Sequence, residues 1–114
     1  QVESYLDYHG EKLARRFDAN SYLILNRAMD LHDIARDRGS LKNALERIAR
    51  VPVMTLSISS DALYPAYQQK ELMEAVNEAG GECEYHMIDS PDGHDGFLLA
   101  VKEIGVHLES FLSK

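Results

Sequence analysis

Val51-Pro52-Val53-Met54-Thr55-Leu56-Ser57-Ile58 is apolar almost throughout. A strand half exposed to water alternates apolar and polar residues; a parallel strand covered on both faces does not. The stretch therefore predicts a buried parallel strand, with Pro52 admissible only near its first residue. Beyond it, Ser59-Ser60-Asp61 makes a loop, and Tyr64-Pro65 turns the chain into a helix over about 66–79. Leu72, Met73, Val76 and Ala79 form that helix's buried face, and Gly80-Gly81 stop it. Cys83, Tyr85 and Met87 then alternate with Glu84, His86 and Ile88, which predicts a second strand. Pro91 and Gly93 turn the chain, and a last helix over about 96–112 carries Val101, Ile104, Leu108, Phe111 and Leu112 along one side. The order β-α-β-α predicts that 53–58 and 84–88 pair in parallel through a right-handed crossover.

The first fifty residues read as helical. Val2, Tyr5, Leu6, Leu13 and Phe17 recur near helical spacing, and Gly10 marks a bend or a close contact. Asp18-Ala19-Asn20-Ser21 divides this helix, over 2–17, from a second over 21–37. Gly39 is placed to stop the second, and Ser40 to cap a third that carries Leu41, Ala44, Leu45 and Ile48. His9 and His32 lie on these helices and read as surface or packing residues. Two parallel strands alone leave both edges open and an apolar strand uncovered, which is no viable core. The expectation is an α/β fold of which this is a C-terminal part, with further strands upstream.

A chain of 114 residues suffices for one domain. Its net charge of −7 offers no basic stripe to phosphates, which argues against nucleic acid. No apolar run approaches the ~18 residues of a membrane span. The lone Cys83 has no internal disulfide partner, which fits a reducing, cytoplasmic setting.

Neighbouring parallel strands end on one side of a sheet. Asp61 follows the first and His94 the second, so both emerge together, on strands ~4.8 Å apart. A carboxylate that accepts from one imidazole nitrogen fixes the tautomer and leaves the other as a general base. The order Asp-then-His is the second half of the Ser-Asp-His order of α/β-hydrolases. No Gly-x-Ser-x-Gly elbow occurs, and Ser57, Ser59 and Ser60 have no flanking glycines. A metal site from His86, Asp89, His94 and Asp95 is disfavoured, because a strand residue such as His86 projects sideways rather than toward the loop.

Five blocks carry a more specific signal: 2–6, 15–23, 27–30, 59–61 and 92–98, among them Arg-Phe-Asp-Ala-Asn-Ser-Tyr-Leu at 16–23 and Asp-Gly-His-Asp-Gly-Phe-Leu at 92–98. Together they resemble the C-terminal third of the homoserine O-acetyltransferase family, serine acyltransferases of the α/β-hydrolase fold in methionine biosynthesis. The resemblance implies a helical cap segment over 1–40 and a β-α-β-α part of the hydrolase core over 41–114. It implies Asp61 and His94 as triad acid and base, and Asp95 as the carboxylate that holds the amino group of L-homoserine. It further implies acetyl-CoA as co-substrate, no resident cofactor or metal, and a homodimer joined through cap helices. The nucleophilic Ser would lie upstream, so this chain alone is expected to be inert. Succinyl transfer, another esterase of the same fold, or a non-catalytic assembly piece are the competing expectations.

Overall fold

The computed structural model describes residues 2–114. They form two compact units, one ending at Asp33 and one spanning Ile34–Lys114.

The N-terminal unit holds helices α1 (Val2–Arg16) and α2 (Ala19–Asp30). Glu3 in the first turn of α1 and Arg15 and Arg16 in its last turn complement the helix dipole. Between the helices, Asp18 caps α2 by accepting the Ser21 N–H at 2.8 Å. Leu13, Ala14, Phe17, Tyr22 and Leu23 line an apolar groove of about 340 Å³. Neither helix contains a buried residue.

The second helix ends at Asp30 rather than continuing to residue 37. At that end the Leu31 N–H still reaches Arg27 at 3.1 Å, but the His32 N–H bonds to Met29 at 3.1 Å, the tighter i−3 spacing that closes a helix. Further on, the Ile34 carbonyl accepts from the Arg38 guanidinium at 2.7 Å, while the Arg38 N–H bonds to Ala35 at 2.9 Å. Asp37 then adopts a φ of 60°, the left-handed region in which Asp is among the better-tolerated residues.

In the second unit, Ser40 caps α3 (Leu41–Glu46) by accepting the Asn43 N–H at 3.1 Å. Strand β1 (Val53–Ile58), helix α4 (Ala66–Glu78) and strand β2 (Cys83–Ile88) follow. The strands pair in parallel, with register from Val53 opposite Cys83 to Ile58 opposite Ile88. This is a mixed helix-and-sheet unit, with two strands among the described residues. Leu45, Val76, Ala79 and Cys83 form a buried cluster, with Ile34, Val53, Met73 and Ala75 packed against it. Polar residues inside β1 find partners, since Thr55 donates to the Gln69 carbonyl at 3.2 Å and Ser57 hydrogen-bonds the Tyr85 hydroxyl at 2.8 Å. Asn77 clamps the start of β2, accepting the Cys83 N–H at 2.8 Å and donating to the Cys83 carbonyl at 3.1 Å.

The expected last helix is two. After a 3-10 turn at Gly93–Asp95 come α5 (Gly96–Leu99) and α6 (Val101–Leu112). They break at Ala100, whose ψ of 47° leaves the helical basin. Ala100 still donates to Gly96 at 2.9 Å and accepts from Ile104 at 3.0 Å, so one residue closes α5 and opens α6. On α6, Ile104 and Phe111 are partly covered, whereas Val101, Leu108 and Leu112 are exposed.

Gly96 sets how closely α5 approaches the end of β1. A Cβ there would stand 2.7 Å from Ile58 Cγ2, and Ile58 is itself buried. Overpacking of this kind costs about 1–3 kcal/mol, more than the ~1 kcal/mol gained by removing a helical glycine. At Gly105 in α6 a Cβ meets nothing within 4 Å. We expect Gly96→Ala to lower, and Gly105→Ala to raise, the midpoint of denaturant unfolding.

Candidate active site

Strand β1 ends at Ile58, and the Asp61 N–H folds back onto the Ile58 carbonyl at 3.1 Å. This turn aims the Asp61 carboxylate across the strand ends. Its Oδ1 accepts the N–H groups of Leu63 (2.8 Å) and Tyr64 (2.9 Å). Its Oδ2 lies 2.8 Å from His94 Nδ1. The carboxylate is 8% exposed and the imidazole 38%. The His94 bond, followed by the backbone donors of Tyr64 and Leu63, holds the Asp61 carboxyl below its ordinary value of 3.8.

An ionised carboxylate only accepts, so Nδ1 is the donating nitrogen, and in the neutral ring the lone pair falls on Nε2. His94 reaches this position from the 3-10 turn, which Gly93 opens at a φ of 60°. The rings of Tyr64 and Phe97 each lie 5.1 Å from the imidazole, tilted against it. Asp61, His94, Tyr64 and Phe97 border a cavity of about 410 Å³ floored by Leu56, Ser57 and Ile58. Such a pair, an oriented imidazole with a free nitrogen facing a partly apolar cavity, can accept a proton from a hydroxyl brought to it.

The structure therefore brings Asp61 and His94 together, as their places after paired parallel strands predict. Asp95 stands beside them on the 3-10 turn, exposed, and its side chain makes no capping bond to α5. His86 is placed elsewhere: its ring stacks on His107 at 4.2 Å and lies 3.6 Å from Glu84. Asp89 accepts from the Ser59 hydroxyl at 2.9 Å. Among the described residues no group of three or more His, Cys, Asp or Glu is arranged to hold a metal ion. His9 packs against Tyr5 and Tyr8, at 4.3 and 5.2 Å between ring centres. No helix among the described residues is long and apolar enough to cross a membrane.

Sequence reasoning missed the two rings that flank the imidazole. The available signal was their spacing, Tyr64 three residues after Asp61 and Phe97 three after His94. It also weighed Ser59 and Ser60 only as nucleophiles, although hydroxyls beside a turn commonly bond to backbone.

In class, this is a parallel α/β unit with a hydrogen-bonded Asp–His pair at its strand ends. Curated relatives make the resemblance particular. The chain is 52% identical over 114 residues to the homoserine O-acetyltransferase of Symbiobacterium thermophilum, covering 100% of this chain and 30% of that protein. It is 47% identical over 112 residues to the homoserine O-acetyltransferase of Carboxydothermus hydrogenoformans, covering 98% of this chain and 29% of the relative. The enzyme of the same name from Methanosarcina acetivorans is 44% identical over 99% of this chain and 21% of its own length. Along its whole length, then, the chain resembles part of the homoserine O-acetyltransferase family, and it spans about 30% of the first two of these relatives. No family model matches it.

Proposed function

We propose that this chain supplies the acid–base half of a homoserine O-acetyltransferase of the α/β-hydrolase fold. The observation that carries the reading is the 2.8 Å bond between Asp61 and His94, within a chain similar throughout to relatives of that name. The reaction proceeds in two steps. His94 Nε2 takes the proton of a nucleophilic Ser outside these residues as that oxygen attacks the thioester carbonyl of acetyl-CoA; collapse of the tetrahedral intermediate breaks the C–S bond, and the CoA sulfur leaves with the proton returned by His94, which is neutral again. His94 then deprotonates the hydroxyl of L-homoserine, which attacks the acyl-enzyme, and the Ser oxygen departs with the proton returned by His94. Backbone amides elsewhere in the enzyme stabilise the oxyanion. The chemistry uses protein groups and a co-substrate, without a resident cofactor or metal.

Asp95 serves homoserine in this reading. Its exposed carboxylate beside the base, free of a capping role in α5, suits an ammonium group. The exposed apolar residues of α1 and α2, Leu6, Leu23 and Ile24 among them, suit a cap that pairs with a second copy. A cytoplasmic site of action in methionine biosynthesis accords with this activity.

The test is acyl transfer by the complete enzyme that carries this segment, with acetyl-CoA and succinyl-CoA offered separately. Acetylated homoserine is the expected product; succinylated homoserine would reassign the donor. Asp95→Ala should slow transfer to homoserine at least tenfold while CoA release in the absence of homoserine stays near wild type. Equal losses in both half-reactions would remove Asp95 from substrate binding.

A further inference from the structure

The loops that carry Asp61 and His94 are joined by side chains that take no part in the chemistry. Ser60 immediately precedes Asp61, and Gly93 immediately precedes His94. The Ser60 hydroxyl accepts the Gly93 N–H at 2.8 Å and donates to the Ser90 carbonyl at 2.5 Å. One small group thus uses its one proton and one of its lone pairs to tie both ends of the 90–93 turn to the end of β1. Around it, Ser59 donates to Asp89 Oδ1 at 2.9 Å and accepts the Ser90 N–H at 3.1 Å. Ser90, itself buried, donates to Asp92 Oδ2 at 2.8 Å and stiffens the turn from within.

We propose that Ser60 is a positioning residue: its hydroxyl locks the His94 loop to the Asp61 loop and so holds the imidazole in register with the carboxylate and the cavity. This rests on the reading of His94 as the base. The Asp61–His94 bond cannot do this alone, because it joins two side chains and leaves the 90–93 backbone to wander. Nor does the paired sheet, whose ladder ends at Ile58 and Ile88. Beyond those residues the Ser59 N–H donates to the Ile88 carbonyl at 2.9 Å, the last backbone link between the loops among the described residues. From there to His94 the serine hydroxyls carry the connection. Misplacement of a catalytic group by about 1 Å costs on the order of 10²-fold in rate, so loss of the Ser60 bridge should act on turnover.

The experiment compares Ser60→Ala, Ser60→Thr and His94→Ala in the complete enzyme. Ser60→Ala should lower kcat roughly 10- to 100-fold, with KM for acetyl-CoA and homoserine within about twofold of wild type. Ser60→Thr keeps the hydroxyl and should recover most of the loss. The downfield imidazole Nδ1–H proton signal of the Asp61–His94 bond should broaden in Ser60→Ala and return in Ser60→Thr. A Ser60→Ala enzyme with wild-type kcat, beside a His94→Ala enzyme that has lost activity, would overturn the clamp and leave the base in place. Equal loss in Ser60→Ala and Ser60→Thr would also overturn it, since the hydroxyl would not be the agent. A fully active His94→Ala enzyme would remove the base, and the clamp with it.

Discussion

His94→Ala is expected to slow acylation of the nucleophile by roughly four to six orders of magnitude. The size follows from what the side chain does. An alcohol attacking a thioester must lose its proton as the bond forms, and in the proposed mechanism His94 Nε2, oriented by Asp61, is the acceptor. Water in the vacated space is a far weaker base and is not held in line. KM for acetyl-CoA should change little, because the imidazole acts on the proton rather than on the bulk of the co-substrate. Stopped-flow release of CoA, followed with a thiol reagent, gives the number. The change should not unfold the protein, since the imidazole is 38% exposed and lies at a loop.

Asp61→Asn should cost about 10⁴-fold in kcat while leaving the fold intact. Asp61 Oδ1 accepts two backbone N–H groups, from Leu63 and Tyr64. An amide NH₂ cannot accept from either, so the amide oxygen must occupy that position and the NH₂ must face His94. Nδ1 then becomes an acceptor, the ring proton moves to Nε2, and the base is lost. The same bonds give the wild-type protein an acid dependence. A carboxyl held below its ordinary 3.8 stabilises the fold fully above that value, and the contribution is lost as pH falls through the lowered value. Removal of the ionisable group removes that dependence. Denaturant midpoints should therefore fall less steeply below pH ~4 in Asp61→Asn than in wild type, while activity at neutral pH separates the two by the larger factor.

The parallel pair was legible because Val53 to Ile58 carries no charged residue, its only polar side chains being the small Thr55 and Ser57, and because a thirteen-residue helix between two strands permits little else. From that pairing the meeting of Asp61 and His94 follows, as both sit just past strand ends in register at Ile58 and Ile88. Two boundaries were not legible. The end of α2 at Asp30 falls before Leu31, Ile34 and Ala35, whose apolar spacing still reads as helix. The break at Ala100 has no Gly or Pro to announce it, since Leu98 to Lys102 reads as uninterrupted helix. The serine bridges between the loops were equally silent. Nothing in the 59–61 block announces which groups its two serines bond to, and their partners, Asp89, Ser90 and Gly93, lie about thirty residues away.

In the proposed mechanism His94 is the base that activates the nucleophile for acylation. The most direct test of that role is the pre-steady-state burst of CoA from acetyl-CoA, measured without homoserine in the complete enzyme, for wild type and His94→Ala. Wild type should release close to one equivalent of CoA rapidly and then stall as the acyl-enzyme. His94→Ala should show no burst on that timescale. An undiminished burst from His94→Ala would contradict the account, because the nucleophile would then be activated without the Asp61–His94 pair.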